Sequence, residues 1–360
     1  MKLTFFAGVE YKNKIYFSAF WVNGLFTMDL STHRITFVKI FEKEKMKMRL
    51  HRAAFIYENE AWFIPQEAEY IACLNLESLE ITYYRPPFEQ AKSLDYCLYY
   101  TGHVVNQRYL FLVPGYADTF SVVDMKKHEI YPVYRNEDLQ HMEIADSLVF
   151  KNQLLMIPWN GKELILLDLI SRNEHRYPWK YGDQAYSSVA YSNGKIWFVP
   201  FEADKIMYYD LKLKKHYFLK LENPDNKYCE LVQFQNKLIM CPILGDDFAI
   251  VDTAGNTVSF DHCDGCKDIF PNELSKMAVV ASQNRHILCT GGTNHMIEFE
   301  DSGDDYKVFP ITQCVRDLTD YKDEFFSKMD DEVINKNYLH DMEQVIGLDG
   351  FIKYITGEAI

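Results

Sequence analysis

The sequence has no excess of positive charge, no long apolar run and no complete catalytic motif, and each absence removes a class of protein. Its 38 lysines and arginines are outnumbered by 52 aspartates and glutamates, giving a formal net charge of −14. Such a field repels phosphate backbones and anionic lipid surfaces, so neither nucleic acid nor a membrane is expected as a partner. No stretch approaches the ~18 uninterrupted apolar residues of a membrane span. The opening MKLTFFAGVEYKNK carries a short apolar run and then Glu10, without a small-residue cleavage site. It reads as a first strand rather than a signal peptide. Glycine and proline are scarce, at 16 and 12 of 360 residues, which excludes fibrous and low-complexity chains. GxSxG, HExxH, P-loop and GxGxxG patterns are all missing, so no reaction is named by a motif. The eight cysteines are scattered along the chain. A large chain needs no disulfide staples, so a reducing cytoplasm is the expected compartment.

Aromatics are abundant instead, at 15% from 25 Tyr, 25 Phe and 5 Trp, residues used in strands and binding surfaces. The length exceeds a usual single domain of ~100 to 200 residues unless the chain repeats, and it does repeat. Seven copies share an apolar run, a turn containing Asn, a second run often closed by Pro, a third run and a fourth. The turn asparagines are Asn13, Asn59, Asn106, Asn152, Asn193, Asn236 and Asn284. A second landmark, at Asp29, Asn75, Asp124, Asp168, Asp210, Asp252 and Glu300, follows each of them by 16 to 18 residues. Its recurrence at the turn-side end of the third run marks a side-chain cap on a hairpin rather than a catalytic set.

Runs such as EAWFIP, QLLMIP and GKIWFVP are too short for helices and rich in aromatic or β-branched residues. Four such strands per ~45 residues is the blade of a β-propeller. The expected fold is all-β, a seven-bladed propeller of four-stranded antiparallel blades over 1–315, with a helical C-terminal extension over 316–360. The extension reads as helices because Tyr321, Phe325, Met329 and Val333 recur every four residues. Since the first copy begins with its own inner strand and the seventh ends with its outer one, the ring is expected to close between complete blades, with no strand exchanged.

KIWFVPFEADKIMYYDL in the fifth copy resembles blades of streptogramin lyase, itself a seven-bladed propeller. The second strand of the seventh copy ends in CTGG, as kelch repeats do. No set matching the catalytic His and Glu of the lyase is present, so the resemblance implies the fold and carries no activity over.

Blade geometry puts the short polar turns, YKNK, YENE and LKLK among them, on one face and the long loops and connections on the other. Trp21, Tyr70, Tyr116, Trp159 and Phe201 fall in the long loops among carboxylates, a composition suited to a peptide, protein or carbohydrate ligand. The same aromatics equally suit wedges between blades. At the starts of the inner strands, Arg52, His103, Asp146, Ser187, Glu230 and Lys276 approach the channel mouth. Of these, Arg52, His103, Asp146 and Glu230 are the candidates for acid–base chemistry, the alternative being that they pair with one another. Histidines 33, 128, 175, 216 and 340 lie on the polar-turn face, the outer strands or the tail, away from that mouth.

Cys263 and Cys266 have CxxC spacing, half of a zinc site that Cys241, Cys289 or His262 would have to complete. An isolated CxxC is common, and strand cysteines usually act as small hydrophobes, so no cofactor is expected and a divalent metal is the minor alternative. The reading is a cytoplasmic binding or scaffolding propeller that grips its partner on the long-loop face. The rival is a lyase or hydrolase with a polar, metal-assisted site at the channel mouth.

Overall fold

The computed structural model describes residues 5–20, 22–45, 49–86, 99–105, 108–115, 117–135, 144–158, 163–179, 186–245, 247–262, 278–281, 286–289, 295–299, 306–310 and 312–313. The expected helical extension, and the CxxC pair Cys263 and Cys266, lie outside them. Seven antiparallel sheets follow one another along the chain, each ordered first to fourth strand as in the sequence. The first strands are Phe5–Tyr11, His51–Tyr57, Tyr99–Val105, Ile144–Phe150, Tyr186–Ser192, Lys227–Gln233 and Ala278–Ala281. Each lies beside the first strand of the next blade, and Ala278–Ala281 lies beside Phe5–Tyr11, which closes a seven-bladed propeller.

Period-two alternation decides which neighbour each side chain meets. In blade 2, Ala61, Phe63, Ala72 and Leu74 pack with Ala7, Val9 and Leu25 of blade 1. Their alternates Trp62, Ile64, Ile71 and Cys73 pack with Leu110, Leu112 and Val123 of blade 3. The pattern repeats around the ring to a cluster joining Val232, Ile239, Cys241 and Phe248 of blade 6 with Ile297 and Phe299 of blade 7. Trp62, Trp197, Phe63 and Phe120 are fully buried, which accounts for much of the aromatic excess.

The two sequence landmarks are joined by a backbone hydrogen bond. Leu30 donates to Asn13, Leu76 to Asn59, Met125 to Arg108, Leu169 to Asn152, Leu211 to Gly194 and Thr253 to Asn236, always across 17 residues. In blade 5 the spacing of Asn193 therefore reflects where Asn sits in the turn, not a change of register, and in blade 3 the Arg108 carbonyl keeps the same register. After the third strand, Asp29, Asn75, Asp168, Asp210 and Asp252 each accept from two backbone N–H groups of the hairpin. Asp124 accepts from Lys127 N–H and holds the Arg108 guanidinium. These bonds hold the Asp29 and Asp168 carboxyls below their ordinary range. Four residues after each landmark the chain turns left-handed, at His33, Leu79, His128, Arg172, Lys214 and Asn256, with φ between 54° and 62°.

The ring closes between complete blades, as expected, and blade 1 carries one addition. Its own four strands are complete, and blade 7 keeps Tyr306–Pro310 as its fourth. The chain then continues into Thr312–Gln313, which pairs parallel with Arg34 and Ile35 as a fifth strand of blade 1. No blade borrows a strand to complete itself; this short parallel pairing is an additional contact between the ends, which the repeat alone did not lead one to expect. The outer strand of blade 1 offers an unpaired edge, and the His33 and Phe309 rings, 4.6 Å apart, bring blade 7 next to it.

The hairpin devices have opposite costs, which sets a two-sided test. Asp168→Ala should lower the denaturant midpoint through lost caps. Arg172→Gly, which relieves a non-glycine left-handed residue, should raise stability by up to ~1 kcal/mol. Denaturant unfolding of the two variants measures both.

Candidate functional site

The mouth of the channel is shaped by a β-bulge at the start of the inner strand. In six blades one residue is left unpaired there, namely Phe6, Arg52, Tyr100, Ala145, Ser187 and Cys229. A bulge turns side chains at a strand end. It also corrects the equivalence expected between the candidates. Arg52 and Ser187 are bulged residues, whereas Asp146 and Glu230 are the next residue along. His103, paired with Phe111, lies further up its strand, at the level of Leu148 in blade 4.

Arg52 and Glu230 do meet. Arg52 Nη2 lies 3.3 Å from Glu230 Oε1, joining blades 2 and 6, which are not neighbours, across the central opening. Both side chains are partly exposed, at 24% and 22%. Asp146 is engaged elsewhere. Its Oδ2 accepts from Ser188 Oγ at 2.5 Å and from Val189 N–H at 2.9 Å, both of blade 5, and its Oδ1 accepts from Ser147 N–H. Ser187 Oγ donates to the Tyr228 carbonyl of blade 6 at 2.8 Å. Thus Arg52 and Glu230 form one pair and Asp146 a separate tie between adjacent blades. The His103 side chain and Lys276 lie outside the described residues.

One residue before the bulge of blade 2, His51 is fully buried between the Phe41 and Phe63 rings. Its Nδ1 pairs with Ser18 Oγ at 2.9 Å, and Nε2 has no hydrogen-bond partner. Burial pushes its pKa down to about 3, so the ring is neutral.

On the long-loop face, Tyr70 and Phe201 are described and half-buried; Trp21, Tyr116 and Trp159 lie outside the described residues. The two are not equivalent, since Phe201 opens its loop after Pro200 and Tyr70 ends its own before Ile71. Each carries a lysine over its ring, a pairing not evident in the sequence. Lys43 Nζ sits 5.8 Å from the Tyr70 centroid and 5.5 Å from that of Tyr83, on the outer strand. Lys227 Nζ sits 5.2 Å from Phe201, at the start of the inner strand of blade 6. Phe201 is therefore on the channel side and Tyr70 on the rim. The connection beneath Tyr70 is locked by buried Asn23, which accepts from Phe41 N–H and donates to the carbonyls of Phe41, Glu44 and Lys45. Glu44 in turn accepts from the Glu69 and Tyr70 N–H groups.

Cys241, one possible partner of the CxxC pair, is fully buried in the apolar cluster between blades 6 and 7, and burial raises its thiol well above the ordinary range. His262 ends the outer strand of blade 6. Among the described residues no helix is long and apolar enough to cross a membrane.

No protein-family model and no curated protein matches this sequence. Solved structures match by fold. A streptogramin B lyase superposes with a TM-score of 0.61 at 14% identity, over 80% of this chain and 90% of that one. Virginiamycin B lyase from Staphylococcus aureus gives 0.57 at 15% identity, over 72% and 83%. YCF48 bound to D1 peptide gives 0.58 at 8% identity, over 80% and 90%. These likenesses define a seven-bladed propeller of an architecture used both by lyases and by a peptide-binding protein.

Two outcomes test this geometry. A double-mutant cycle on Arg52→Ala and Glu230→Ala should give a coupling of ~1 kcal/mol, as for a partly exposed pair. His51 makes folding sensitive to acid: the unfolded chain takes up a proton below its ordinary pKa of about 6.5 while the folded ring does not. Lowering pH from 7 to 5 should therefore cost about 2 kcal/mol through this group, and His51→Phe should flatten that part of the stability profile.

Proposed function

We propose that the protein is a binding propeller that holds a peptide segment of a partner protein on its long-loop face, close to the channel mouth. The observation that carries this reading is the contrast between the faces. On the hairpin face, each described turn is tied by its own Asp or Asn and by a bond back to the first hairpin. On the loop face, half-buried aromatics carry cations, with Phe201 and Lys227 beside the channel. An aromatic ring next to an ammonium group offers apolar contact and charge together, suited to a peptide that carries carboxylate and apolar groups.

The engagement of Arg52 with Glu230 and of Asp146 with Ser188 supports binding over acid–base catalysis, because the mouth charges serve each other. The likeness to YCF48 with its D1 peptide supports it as a use to which this fold is put. We place the activity in the cytoplasm, since Cys73 and Cys241 are free thiols, as a reducing compartment keeps them.

Peptides enriched from a display library against the wild-type protein provide the probe. Replacing Phe201 and Lys227 by Ala should weaken their binding at least ~10-fold, as for an interface anchor, with circular dichroism unchanged. Equal binding by the variant, or enrichment only on a glycan array, would refute the peptide reading.

A further inference from the structure

The interface between blades 2 and 3 brings together three side chains of a kind that no other described interface combines. Glu60 opens the second strand of blade 2, Cys73 lies in its third strand, and His128 occupies the left-handed hairpin position of blade 3. One ligand atom from each, a Glu60 carboxylate oxygen, Cys73 Sγ and a His128 ring nitrogen, lies within 4.8 Å of the other two.

Repeat geometry explains the meeting. Glu60 and Trp62 share a face by alternation, and Cys73 stands opposite Trp62. All three therefore point at blade 3. The left-handed hairpin residue reaches back onto the preceding blade around the ring: His33 meets Phe309 of blade 7, Leu79 packs on the cluster between blades 1 and 2, and His128 meets blade 2. The positions matching Glu60 and Cys73 hold Lys14 and Thr27, Gln153 and Leu166, Lys195 and Tyr208, or Lys237 and Ile250 in other blades. Among these blades, blade 2 alone supplies a carboxylate and a thiol together.

The contacts have the character of a ligand set. Glu60 Oε2 is buried without a hydrogen-bond partner, although His128 Nε2 is 3.1 Å away. The two atoms are close without being aligned on each other. Cys73 is 3% exposed and free. Tyr84 Oη lies 2.6 Å from His128 Nδ1, and the Trp62 ring stands edge-on to the imidazole at 5.3 Å. If His128 Nδ1–H donates to Tyr84 Oη, Nε2 presents its lone pair to the cluster, the usual arrangement of a metal-bound histidine.

We propose that Glu60, Cys73 and His128 form a Zn²⁺ site that staples blade 2 to blade 3. Mixed S, N and O donors suit zinc, and three protein ligands leave a fourth, tetrahedral position for water on the side where His128 is exposed. Zinc bonds of ~2.0 Å to N and O and ~2.3 Å to S place ligand atoms about 3.3 to 3.5 Å apart. Glu60 and His128, 3.1 Å apart at their nearest ligand atoms, already have that spacing, so what remains to close within the 4.8 Å limit falls on Cys73 Sγ. On binding, the Cys73 S–H bond breaks, its proton passes to solvent and the Zn–S bond forms. The carboxylate and thiolate neutralise the ion, so no net charge is left at the interface.

The test uses the full chain carrying Cys263→Ser and Cys266→Ser, which removes the CxxC pair as a competing ligand. Chelator-treated protein titrated with Zn²⁺ should retain one ion per chain after gel filtration and change its tryptophan fluorescence through Trp62. Substituted Co²⁺ should show a thiolate charge-transfer band. His128→Asn, which tolerates the left-handed turn, should cut affinity more than ~100-fold and Tyr84→Phe about 10-fold, while Cys73→Ser should abolish the cobalt band. Failure of the doubly substituted chain to hold zinc, or unchanged affinity in His128→Asn, would overturn the site. Because His128→Asn alters a hairpin side chain rather than the core, the proposal stays testable should Cys73→Ser fail to fold.

Discussion

The fold depends on the fact that each blade is a sheet with two apolar faces and can be covered only by other blades. Phe63 and Trp62 are adjacent residues of one strand, and both are fully buried, one against blade 1 and the other against blade 3. A single four-stranded sheet cannot achieve this, because either the indole or the phenyl ring would face water. Burying ~25 cal/mol per Å² on both faces at once requires a closed ring. Closure in turn demands that the hairpin systems keep one register, so the 17-residue bond between the two hairpins of blades 1 to 6 matters beyond its own modest energy. It fixes where the third strand begins relative to the second, and therefore which side chains point to which neighbour.

Most of this was legible in the sequence because it is local and repeated. The turn asparagines and the third-strand carboxylates lie within one blade, and a spacing that recurs seven times is visible without knowing the fold. Even the irregular spacing at Asn193 has a simple cause, a shift of the residue within the turn while the Gly194 carbonyl keeps the bond. What joins one blade to a distant one left no trace of that kind. Arg52 and Glu230 are 178 residues apart, and their contact depends on a bulge that moves Arg52 but not Glu230 out of pairing. Counting from the repeat placed them near one another but assigned them, with Asp146 and His103, to a single level that the bulge divides. The fifth strand at Thr312–Gln313 was hidden for a related reason. Two residues make no pattern, and their pairing follows from the open edge of Arg34–Lys39.

Polar groups inside such a ring are tolerated where they tie one blade to the next. Asp146 accepts from Ser188 and Val189, Ser187 donates to the Tyr228 carbonyl, and His51 bonds Ser18. Each joins consecutive blades near the narrow end, where inner strands crowd and bulges leave backbone groups to be satisfied. These residues have the composition of an active site and the geometry of fasteners. The distinction rests on their partners: a group whose hydrogen bonds are taken by the adjacent blade has less freedom to meet a substrate.

The same reasoning separates the two faces. On the hairpin face the side chains serve the turn that carries them, with Asp or Asn at the cap and a left-handed residue four positions on. That second position is the one free element, filled by His, Leu, Arg, Lys or Asn around the ring, and it reaches back onto the preceding blade. Chemistry on this face can therefore arise only where such a residue meets matching groups, as His128 meets Glu60 and Cys73. On the loop face the described ties differ from loop to loop, as with Ala19 N–H to the Gly24 carbonyl and Ala68 N–H to that of Leu50. Asn23 and Glu44 stiffen one connection so that Tyr70 and Lys43 stand on a fixed base, while Phe201 and Lys227 stand beside the mouth. A rigid ring that holds variable loops rigidly at their bases is the physical condition for recognition by a propeller, because the ordering entropy of the loops is met by folding and not by the partner.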